Sequence, residues 1–407
     1  MDPRPRSPAP RRSLSQLRVV RDWGKPLKAP TGDAYIAPLE AVRELDLWKN
    51  RLWSRERHDH RHFEIVDATI RQGFAYHYLV LEDTTGAVRA IQPFFVCTQN
   101  ILEGMQGTFK KFRERLDRLM PDLLSFRTLM VGSAVGEGVL AAAPGDRRWA
   151  AGALARALPL AAHRLGVGLI VLKEFPSDHR EDFEVLLHHG YTRIPSLPYV
   201  TLDLDFATWD DHLASLSQKA RYDFKRKARA AAKFPPLLME VTGDISTRID
   251  ELYPLYLQVH ERADLRFEKL SPEYFRRLGR EMRDRARFLI WSRNGRAVGF
   301  QSCILHDGVL WIDVIGMDYS VALDLHLYFI MKRDALEWAS LHGARQYCGG
   351  PNNYDPKLRL GCRLKPMDLY AAHVNPLMNE ALRRVARWLS PARHEPLLQR
   401  FPNAADL

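Results

Sequence analysis

Two short turn motifs in the second half of the chain constrain its fold more than any other feature. Asn294-Gly295 and Asp307-Gly308 each lie between apolar runs. Dipeptides of this kind adopt the positive φ angles of the tight turns that join antiparallel strands. The sequence therefore predicts a three-stranded meander, with strands at residues 287–293, 297–305 and 309–317.

The elements around this meander occur in a similar order twice. In the second half, helices are predicted at 253–264, 272–285 and 323–341, and a strand near 346–348. The first half is predicted to contain a helix at 39–57, a hairpin at 76–82 and 87–96, a helix at 108–120, a strand at 126–131, a helix at 147–165, a strand at 168–173, a helix at 178–189 and a strand at 191–204. Helices that alternate with strands around a hairpin indicate an α/β fold with a mixed (α+β) sheet. We therefore expect two tandem units of this kind.

The expected domain organisation has four parts. Residues 1–30 are rich in Arg, Pro and Ser, a composition that predicts a disordered basic tail. The N-terminal unit covers 31–204, the C-terminal unit covers 205–390, and 391–407 form a C-terminal extension. The capping-box character of Thr208-Trp209-Asp210-Asp211 predicts a short helix at the start of the second unit.

Positive charge is concentrated in two places. The chain has a net charge of +11, yet the first 30 residues contribute +6 (eight basic, two acidic) and residues 219–233 another +6 (seven basic, one acidic). The remaining residues therefore carry about −1. A protein that coats nucleic acid spreads its charge over a broad face, which this distribution does not indicate.

Several classes of protein are disfavoured by what the sequence lacks. No apolar run reaches the roughly 18 to 20 residues that cross a bilayer, and no apolar segment follows the N-terminal arginines. The four cysteines are scattered without a C-x-x-C pair, so neither a zinc site nor a disulfide framework is indicated. We expect a soluble, cytoplasmic protein without a metal. The oligomeric state stays open.

The basic segment at 219–233 predicts a helix with one narrow apolar edge. On a helical wheel, Ala220, Phe224, Ala228 and Ala231 form this edge, and the cations flank it on both sides. Such a helix is either a solvated face or a site for a large anion. Four of its side chains are predicted to bind substrate phosphates: Lys219, Arg221, Lys225 and Arg229.

Three segments carry a resemblance to a known superfamily. They are the pattern S-x-K-x-R-x-x-x-(K/R)-(K/R)-x-x-R at 217–229, the stretch 288–300, and the segment 349–361 with Lys357. Their order resembles that of the FemAB-like and biotin-synthesis-like acetyltransferase families of the GNAT superfamily. The resemblance covers about residues 200–375, and the N-terminal half resembles these families by architecture alone.

This resemblance implies an N-acyltransferase with a double GNAT unit. Its donor would be acyl-CoA, with aminoacyl-tRNA as the alternative, and its acceptor an amine on a small molecule, a peptide or a cell-envelope precursor. The sequence shows no Ser-His-Asp or Cys-His arrangement, so direct attack by the amine is expected rather than a covalent intermediate.

The loop at 317–324 departs from the superfamily pattern because it has no glycine. Close approach of its backbone to a pyrophosphate is therefore harder to arrange. Either the basic helix holds the donor phosphates with side chains, or the donor is an aminoacyl-tRNA. In the N-terminal half, the glycine-rich segment 132–138 is either a degenerate phosphate loop or, more simply, a flexible connection.

Three residues of the second unit are candidates for the chemistry. Asp313 lies in an otherwise apolar strand, so it must face a polar cleft or a cation. It could accept the proton of the amine, and structural pairing is the rival interpretation. Lys357 is a candidate clamp for phosphate or carboxylate, or an exposed loop lysine. Tyr354 is a candidate general acid for the leaving thiolate, or a packing residue.

Weaker candidates complete the predicted site. Asp318 and Tyr319 begin the loop that should line the donor groove, and His260 ends a helix that should border the acceptor cleft. His260 could instead complement the helix dipole. The alternating His58, His60 and His62 would share one face of a strand as metal ligands, but a solvated connection is favoured.

Two alternatives to acyl transfer stay open at this stage. One is a nucleic-acid-binding protein that uses the basic tail and the helix at 219–233, and the other is a GNAT-like scaffold that has lost catalysis. Under the acyl-transfer hypothesis, Arg221→Ala and Lys357→Ala are expected to lose activity while folding normally.

Overall fold

The computed structural model describes residues 25–50, 52–53, 56–100, 125–263 and 266–407. Most of the predicted basic tail and the predicted helix at 108–120 lie outside these residues. The end predicted for the tail was wrong, because a strand already begins at Leu27. No helix in the described part of the chain has the length and apolar character needed to span a membrane.

Fifteen strands of the described residues form two mixed sheets. The first sheet has the order β1-β2-β3-β4-β5-β6-β15-β7 and consists of β1 (Leu27–Ala29), β2 (Gly32–Ala37), β3 (Ala75–Glu82), β4 (Val88–Asn100), β5 (Ser125–Val131), β6 (Leu169–Pro176), β7 (Thr192–Pro195) and β15 (Met367–His373). The second sheet has the order β14-β8-β13-β12-β11-β10-β9 and consists of β8 (Tyr199–Asp203), β9 (Leu238–Thr242), β10 (Ala286–Arg293), β11 (Arg296–His306), β12 (Val309–Met317), β13 (Gln346–Gly349) and β14 (Arg363–Lys365).

Helices cover both sheets. Those in the described residues are α1 (Leu39–Arg43), α2 (Asp46–Asn50), α3 (His60–Thr69), α4 (Arg147–Arg164), α5 (Glu184–His188), α6 (Trp209–Ser215), α7 (Gln218–Ala231), α8 (Ile249–His260), α9 (Pro272–Glu281), α10 (Tyr319–Ala322), α11 (Leu327–Leu341), α12 (Tyr354–Arg359) and α13 (Pro376–Leu389). The helices predicted at 39–57 and 178–189 are each broken into shorter pieces. Short 3₁₀ turns occupy much of the C-terminal extension from Pro391 onwards.

The predicted meander is present as β10, β11 and β12, and Asn294 and Asp307 adopt positive φ angles of 51° and 47° in its two turns. Each sheet repeats one arrangement around such a meander. Strands β3, β4 and β5 pair antiparallel, and β5 pairs parallel with β6 after the helix α4. In the second sheet, β10, β11 and β12 pair antiparallel, and β12 pairs parallel with β13 after α11. The prediction of two tandem mixed-sheet units is therefore confirmed.

The two units exchange a strand with each other. Strand β15, from the end of the second unit, lies between β6 and β7 of the first sheet. Strand β8, from the end of the first unit, lies between β13 and β14 of the second sheet. The prediction of one strand at 191–204 was wrong, because the chain crosses between the sheets at Pro195 to Pro198. Proline has no N–H for a strand ladder, so this segment cannot continue pairing in one sheet.

A hydrophobic core joins the units. Ile65 and Val66 of α3 and Phe95 of β4 pack in one cluster with Phe275 of α9 and Phe300 of β11. At its edge, the Arg61 guanidinium donates to the Asp284 carboxylate and to the Glu281 carbonyl. Because one core contains side chains from both units, any cavity between the sheets has walls fixed by both.

Candidate functional site

The second sheet opens at Asp313. Parallel pairing of β12 with β13 ends at Ile312 and Gly349, and beyond these residues the two strands no longer pair. On its other side, β12 pairs Ile312 with Cys303 and Val314 with Ser302, so Asp313 is the extra residue of a β-bulge. Bulges of this kind locally re-aim the strand and are common beside active sites.

A cavity of about 440 Å³ lies at this opening, between the two sheets. We call it the inter-sheet cavity. Its walls come from β5, β6, β7 and β15 of the first sheet, from β12, from the loop 350–352 and from the segment after α8. Its lining is mostly apolar, with few charged groups: Lys173, Glu174, Glu268 and Asp313. A mostly apolar cleft with a few converging polar groups is typical of a site for small substrates.

Asp313 is held in place by the other unit. Its backbone is open to the cavity, whereas its side chain is only 18% exposed. The Arg57 guanidinium donates to its Oδ1, and the His58 Nε2 lies 3.9 Å from its Oδ2. Burial alone would raise the pKa of Asp313, but Arg57 and His58 outweigh it, so this pKa lies below its ordinary value. A carboxylate held ionised in this way is a weak proton acceptor at neutral pH.

Arg57 bridges two carboxylates across the units. Its Nε donates to Glu137 Oε1 at 2.6 Å and its Nη2 donates to Glu137 Oε2, while its Nη1 donates to Asp313. The guanidinium also lies 4.3 Å from the centre of the Trp311 ring. Three partners satisfy a planar group with five N–H donors, which is why this charge can be buried at 4% exposure.

The glycine-rich segment 132–138 supports this network. A Cβ on Gly136 would lie 2.6 Å from the His58 ring, and one on Gly138 would lie 2.4 Å from the Lys173 carbonyl oxygen. The glycines therefore allow buried residues to approach, so the interpretation as a flexible connection was wrong, and the phosphate loop stays a prediction. The solvated histidine connection was also wrong, since His58 and His62 are buried and their rings stack at 3.7 Å.

Glu268 is a second carboxyl group of the cavity, and its pKa is shifted in the opposite direction to that of Asp313. It lies on the cavity wall between Phe267 and the loop that precedes α9. Burial raises the pKa of Glu268 to about 7, with Lys173 acting against the shift and Glu174 adding to it. A carboxyl group with such a pKa exchanges its proton near neutral pH, as a general base must. The sequence analysis missed Glu268, because a single acid in an irregular segment carries no pattern.

Lys173 and Glu174 form the charged pair beside Glu268. The Lys173 ammonium donates to Glu174 Oε2 at 2.6 Å and to the Gly136 carbonyl at 3.0 Å, and it lies 5.4 Å from the Phe267 ring. Glu174 has a positive φ of 53°, which is uncommon for a residue other than glycine. Both residues of the pair line the same cavity as Glu268.

Lys357 is buried beneath the loop 350–352, which we call the cavity loop. Its ammonium donates to the carbonyls of Gly350 at 2.5 Å, Asn352 at 2.6 Å and Pro351 at 3.5 Å, and burial lowers its pKa to about 7. These three residues line the cavity. Lys357 therefore shapes the loop with its charge facing backbone carbonyls, and the interpretation as an exposed loop lysine was wrong.

The other catalytic candidates are placed away from the cavity lining. The Tyr354 hydroxyl donates to the Pro198 carbonyl at 2.8 Å, and the ring is 2% exposed. His260 pairs its Nδ1 with the Tyr256 hydroxyl at 3.4 Å, and burial lowers its pKa with help from Lys269 and Arg266. This geometry gives Tyr354 a packing role and offers no support for either residue as a catalyst.

The loop after β12 is organised by its own hydrogen bonds. Asp318 caps α10 and accepts from the Ser320 N–H and hydroxyl at 3.0 and 2.6 Å. The Tyr319 N–H donates to Gln258, and the Arg262 guanidinium lies 4.2 Å from the Tyr319 ring. Neither Asp318 nor Tyr319 is among the described residues that line the cavity.

The basic helix is present as α7 and docks by the predicted edge. Ala220 and Phe224 are buried, and Phe224 stacks on Phe329 of α11 with ring centres 5.2 Å apart. Ala228 and Ala231 pack against the same core. Lys219, Lys225 and Arg229 are exposed, whereas the Arg221 guanidinium donates to the Leu216 and Ala214 carbonyls at the end of α6.

Helix α7 lies beside α11 and α12. Arg359 of α12 approaches Asp223 at 3.5 Å. Lys227 and Arg226 help burial to lower the pKa of His326, the residue that precedes α11. None of the α7 residues, all of which the structure describes, lines the cavity itself. Arg226 and Lys227 of α7 therefore lie near the N-terminus of α11.

The described ranges contain no group of three or more His, Cys, Asp or Glu side chains arranged to hold a metal ion.

Comparison with known proteins matches a family domain to the part of the chain that contains Asp313 and Glu268. Residues 218–358 match the acetyltransferase (GNAT) domain family, and the matched region begins at the first residue of α7 and ends one residue after Lys357. A search of curated protein sequences gave no match.

The solved structures that match this chain are distant in sequence. The crystal structure of FemX is 11% identical, with 82% of this chain and 96% of that chain covered and a TM-score of 0.49. A tandem GNAT protein from the clavulanic acid biosynthesis pathway is 16% identical, with coverages of 84% and 99% and a TM-score of 0.47. The C-terminal domain of a putative lysylphosphatidylglycerol synthetase from Agrobacterium fabrum is 12% identical, with coverages of 79% and 94% and a TM-score of 0.45.

Proposed function

We propose the following reaction for this chain, which is an acyltransferase of the GNAT superfamily with its acetyltransferase domain at residues 218–358. An acyl group from acyl-CoA, or an aminoacyl group from aminoacyl-tRNA, passes to an amine held in the inter-sheet cavity. The observation that carries this proposal is the opening of the sheet at Asp313 directly into that cavity.

The reaction needs an acceptor for the amine proton. A protonated amine cannot attack a carbonyl carbon, so a base must remove its proton at neutral pH. Glu268 lies on the cavity wall and has a pKa near 7, whereas Arg57 keeps Asp313 ionised and engaged. We therefore assign proton acceptance to Glu268 and replace the earlier assignment to Asp313.

The exposed backbone of the Asp313 bulge is the second feature of the site that could take part in the reaction. When the amine nitrogen bonds to the donor carbonyl carbon, negative charge develops on the carbonyl oxygen, and backbone dipoles fixed at that point stabilise it. The bond from carbon to the CoA sulfur, or to the tRNA ribose oxygen, then breaks. The leaving atom takes up one proton while the amine gives one up, so the reaction is balanced.

The donor phosphates are assigned to the face formed by α7 and the N-terminus of α11. The loop before α11 has no glycine, and His326 occupies the left-handed region with φ of 47°. Arg226 and Lys227 of α7 lie close enough to His326 to help lower its pKa, and a helix N-terminus favours anions. We extend this phosphate-binding face to the exposed Lys225 and Arg229 of the same helix. The residues present therefore fit a phosphate-bearing donor held by side chains.

The exposure of Lys219, Lys225 and Arg229 also favours a second candidate, in which the anion is tRNA or another nucleic acid. Binding would then fall steeply as salt rises, because each phosphate contact releases counterions. With CoA as the donor, the phosphate contacts are few and the dependence is shallow. A cytoplasmic location fits either donor and stays a prediction.

One ligand panel tests the proposed function. Thermal unfolding is measured with acetyl-CoA, a longer acyl-CoA and an aminoacyl-tRNA, each at increasing concentration. A donor present at 100 times its Kd stabilises the folded state by about 2.7 kcal/mol. We expect one donor class to raise Tm. If none of the three raises it, acyl transfer from these donors is rejected.

A further inference from the structure

Helix α13 packs on the first sheet with only part of its apolar surface. Ala386 is buried in a small cluster with Ile194 of β7 and Ala371 of β15, and Leu382 packs against that cluster. On the same side, the Asn379 side chain donates to the Gly190 carbonyl and accepts from the His373 N–H, each at 2.9 Å. These contacts fix which face of α13 points inward.

The outward face of α13 carries a second apolar stripe. Its members are Leu377 at 82% exposure, Met378 at 48%, Val385 at 46% and Trp388 at 46%. On a helical wheel they lie within an arc of about 100°. They extend over about 16 Å of helix length, from the rise of about 1.5 Å per residue. We call them the α13 stripe.

Positive charge borders the α13 stripe. Arg384 lies about 20° from the edge of the stripe on the wheel, and its side chain is 77% exposed. Arg383, at 66% exposure, lies farther round the helix, and both arginines contact Glu380. The Arg393 guanidinium lies 4.4 Å from the centre of the Trp388 ring. Residues 376–400 contain five arginines against two glutamates, a net charge of +3. An exposed apolar stripe with Trp and flanking arginines is typical of a helix that lies in a membrane interface.

We propose that the α13 stripe docks on the surface of a bilayer that contains anionic lipids. Contiguous exposed apolar residues mark an interaction surface. A second copy of the chain is the rival partner, but a two-fold contact through α13 would place the arginines of both copies against each other. An anionic headgroup layer is complementary to the arginines, and the acyl region beneath it accepts Leu377 and Trp388.

Docking in this way has a consequence for the proposed reaction, and this consequence rests on the proposed function. Leu382 of α13 and Pro391 line the inter-sheet cavity, as do Leu369 and Ala371 of β15. The helix that touches the bilayer is therefore also a wall of the cavity. An amine acceptor carried by a lipid could then reach the cavity from the bilayer surface.

The test measures co-flotation of the full chain with vesicles, with no donor present, so that it is independent of catalysis. Vesicles of phosphatidylcholine containing about one third phosphatidylglycerol are compared with pure phosphatidylcholine. We expect binding to the anionic vesicles and at least a tenfold loss of partitioning in L377S/W388S. Leu341→Ser is the matched control, because Leu341 is 79% exposed on a different helix.

A thiol label locates the contact. The four native cysteines are buried, so Leu377→Cys provides an exposed thiol for an environment-sensitive dye such as NBD. We expect a blue shift of the dye at 377 with anionic vesicles and none in Leu341→Cys. The proposal is overturned if the wild-type chain does not float, or if L377S/W388S floats as well as the wild type. It is also overturned if the chain is a dimer in solution that this double substitution makes monomeric.

Discussion

Arg57 and Asp313 are 256 residues apart in the sequence and meet at the floor of the inter-sheet cavity. The arginine comes from the segment before α3 of the first unit, and the aspartate is the bulge residue of β12 in the second. Glu137 completes the cluster from the first unit. The bulge that opens the sheet is therefore positioned by residues of both units.

Arg57→Met is expected to destabilise the protein by about 3 to 5 kcal/mol, because it leaves Glu137 and Asp313 buried without their cation. Chemical denaturation monitored by fluorescence measures this change. Arg71→Met is the matched control, because that side chain is 68% exposed and its ion-pair partner is Asp67, four residues earlier in the chain. Equal stability of the two variants would show that the Arg57 cluster does not hold the units together.

Glu268→Gln is expected to lower kcat/KM by about 100-fold or more, since the amide cannot accept the amine proton. In the wild-type protein the raised pKa means that the carboxyl group is protonated below about pH 7, so the rate should rise with pH through that value. The variant should lose this inflection. Glu261→Gln, at an exposed position nearby, is the control. An unchanged pH profile in Glu268→Gln would show that another group is the general base.

The sequence revealed the parts of the fold that depend on local pattern. The Asn-Gly and Asp-Gly turns gave the meander, and the spacing of Ala220, Phe224, Ala228 and Ala231 gave the docking edge of α7. The exchange of β8 and β15 was not predictable, because nothing in a strand's own residues states which sheet it joins. Only the prolines at 195 and 198 marked the crossing.

The candidate site was less predictable than the fold. Asp313 was found because a charge in an apolar strand needs a partner, but the partner, Arg57, lies in a segment with no periodic pattern. Glu268 was missed for a similar reason. Its raised pKa arises from burial in a cavity lined by both units, and such burial depends on how two distant units pack.

Lys357→Met is expected to lower the free energy of unfolding by about 2 to 4 kcal/mol, because three carbonyls lose a charged donor. Activity should fall with it, since those carbonyls belong to the cavity loop. This replaces the expectation that a Lys357 variant folds normally. Lys233→Met, at an exposed position just beyond α7, should leave Tm unchanged. A Lys357 variant that keeps the wild-type Tm but loses activity would instead support the interpretation of Lys357 as a clamp for substrate phosphate or carboxylate.

The double variant K225A/R229A should raise KM for the donor by about tenfold while kcat changes little, because these cations lie outside the cavity and act on binding alone. The control K28A/K49A removes the same charge from exposed positions of the first unit. If both double variants change KM equally, the effect comes from net charge. If only the α7 variant does, and its difference from wild type shrinks as salt rises, then the exposed face of α7 is the donor-binding surface, since salt screens exposed charges over about 10 Å at 0.1 M.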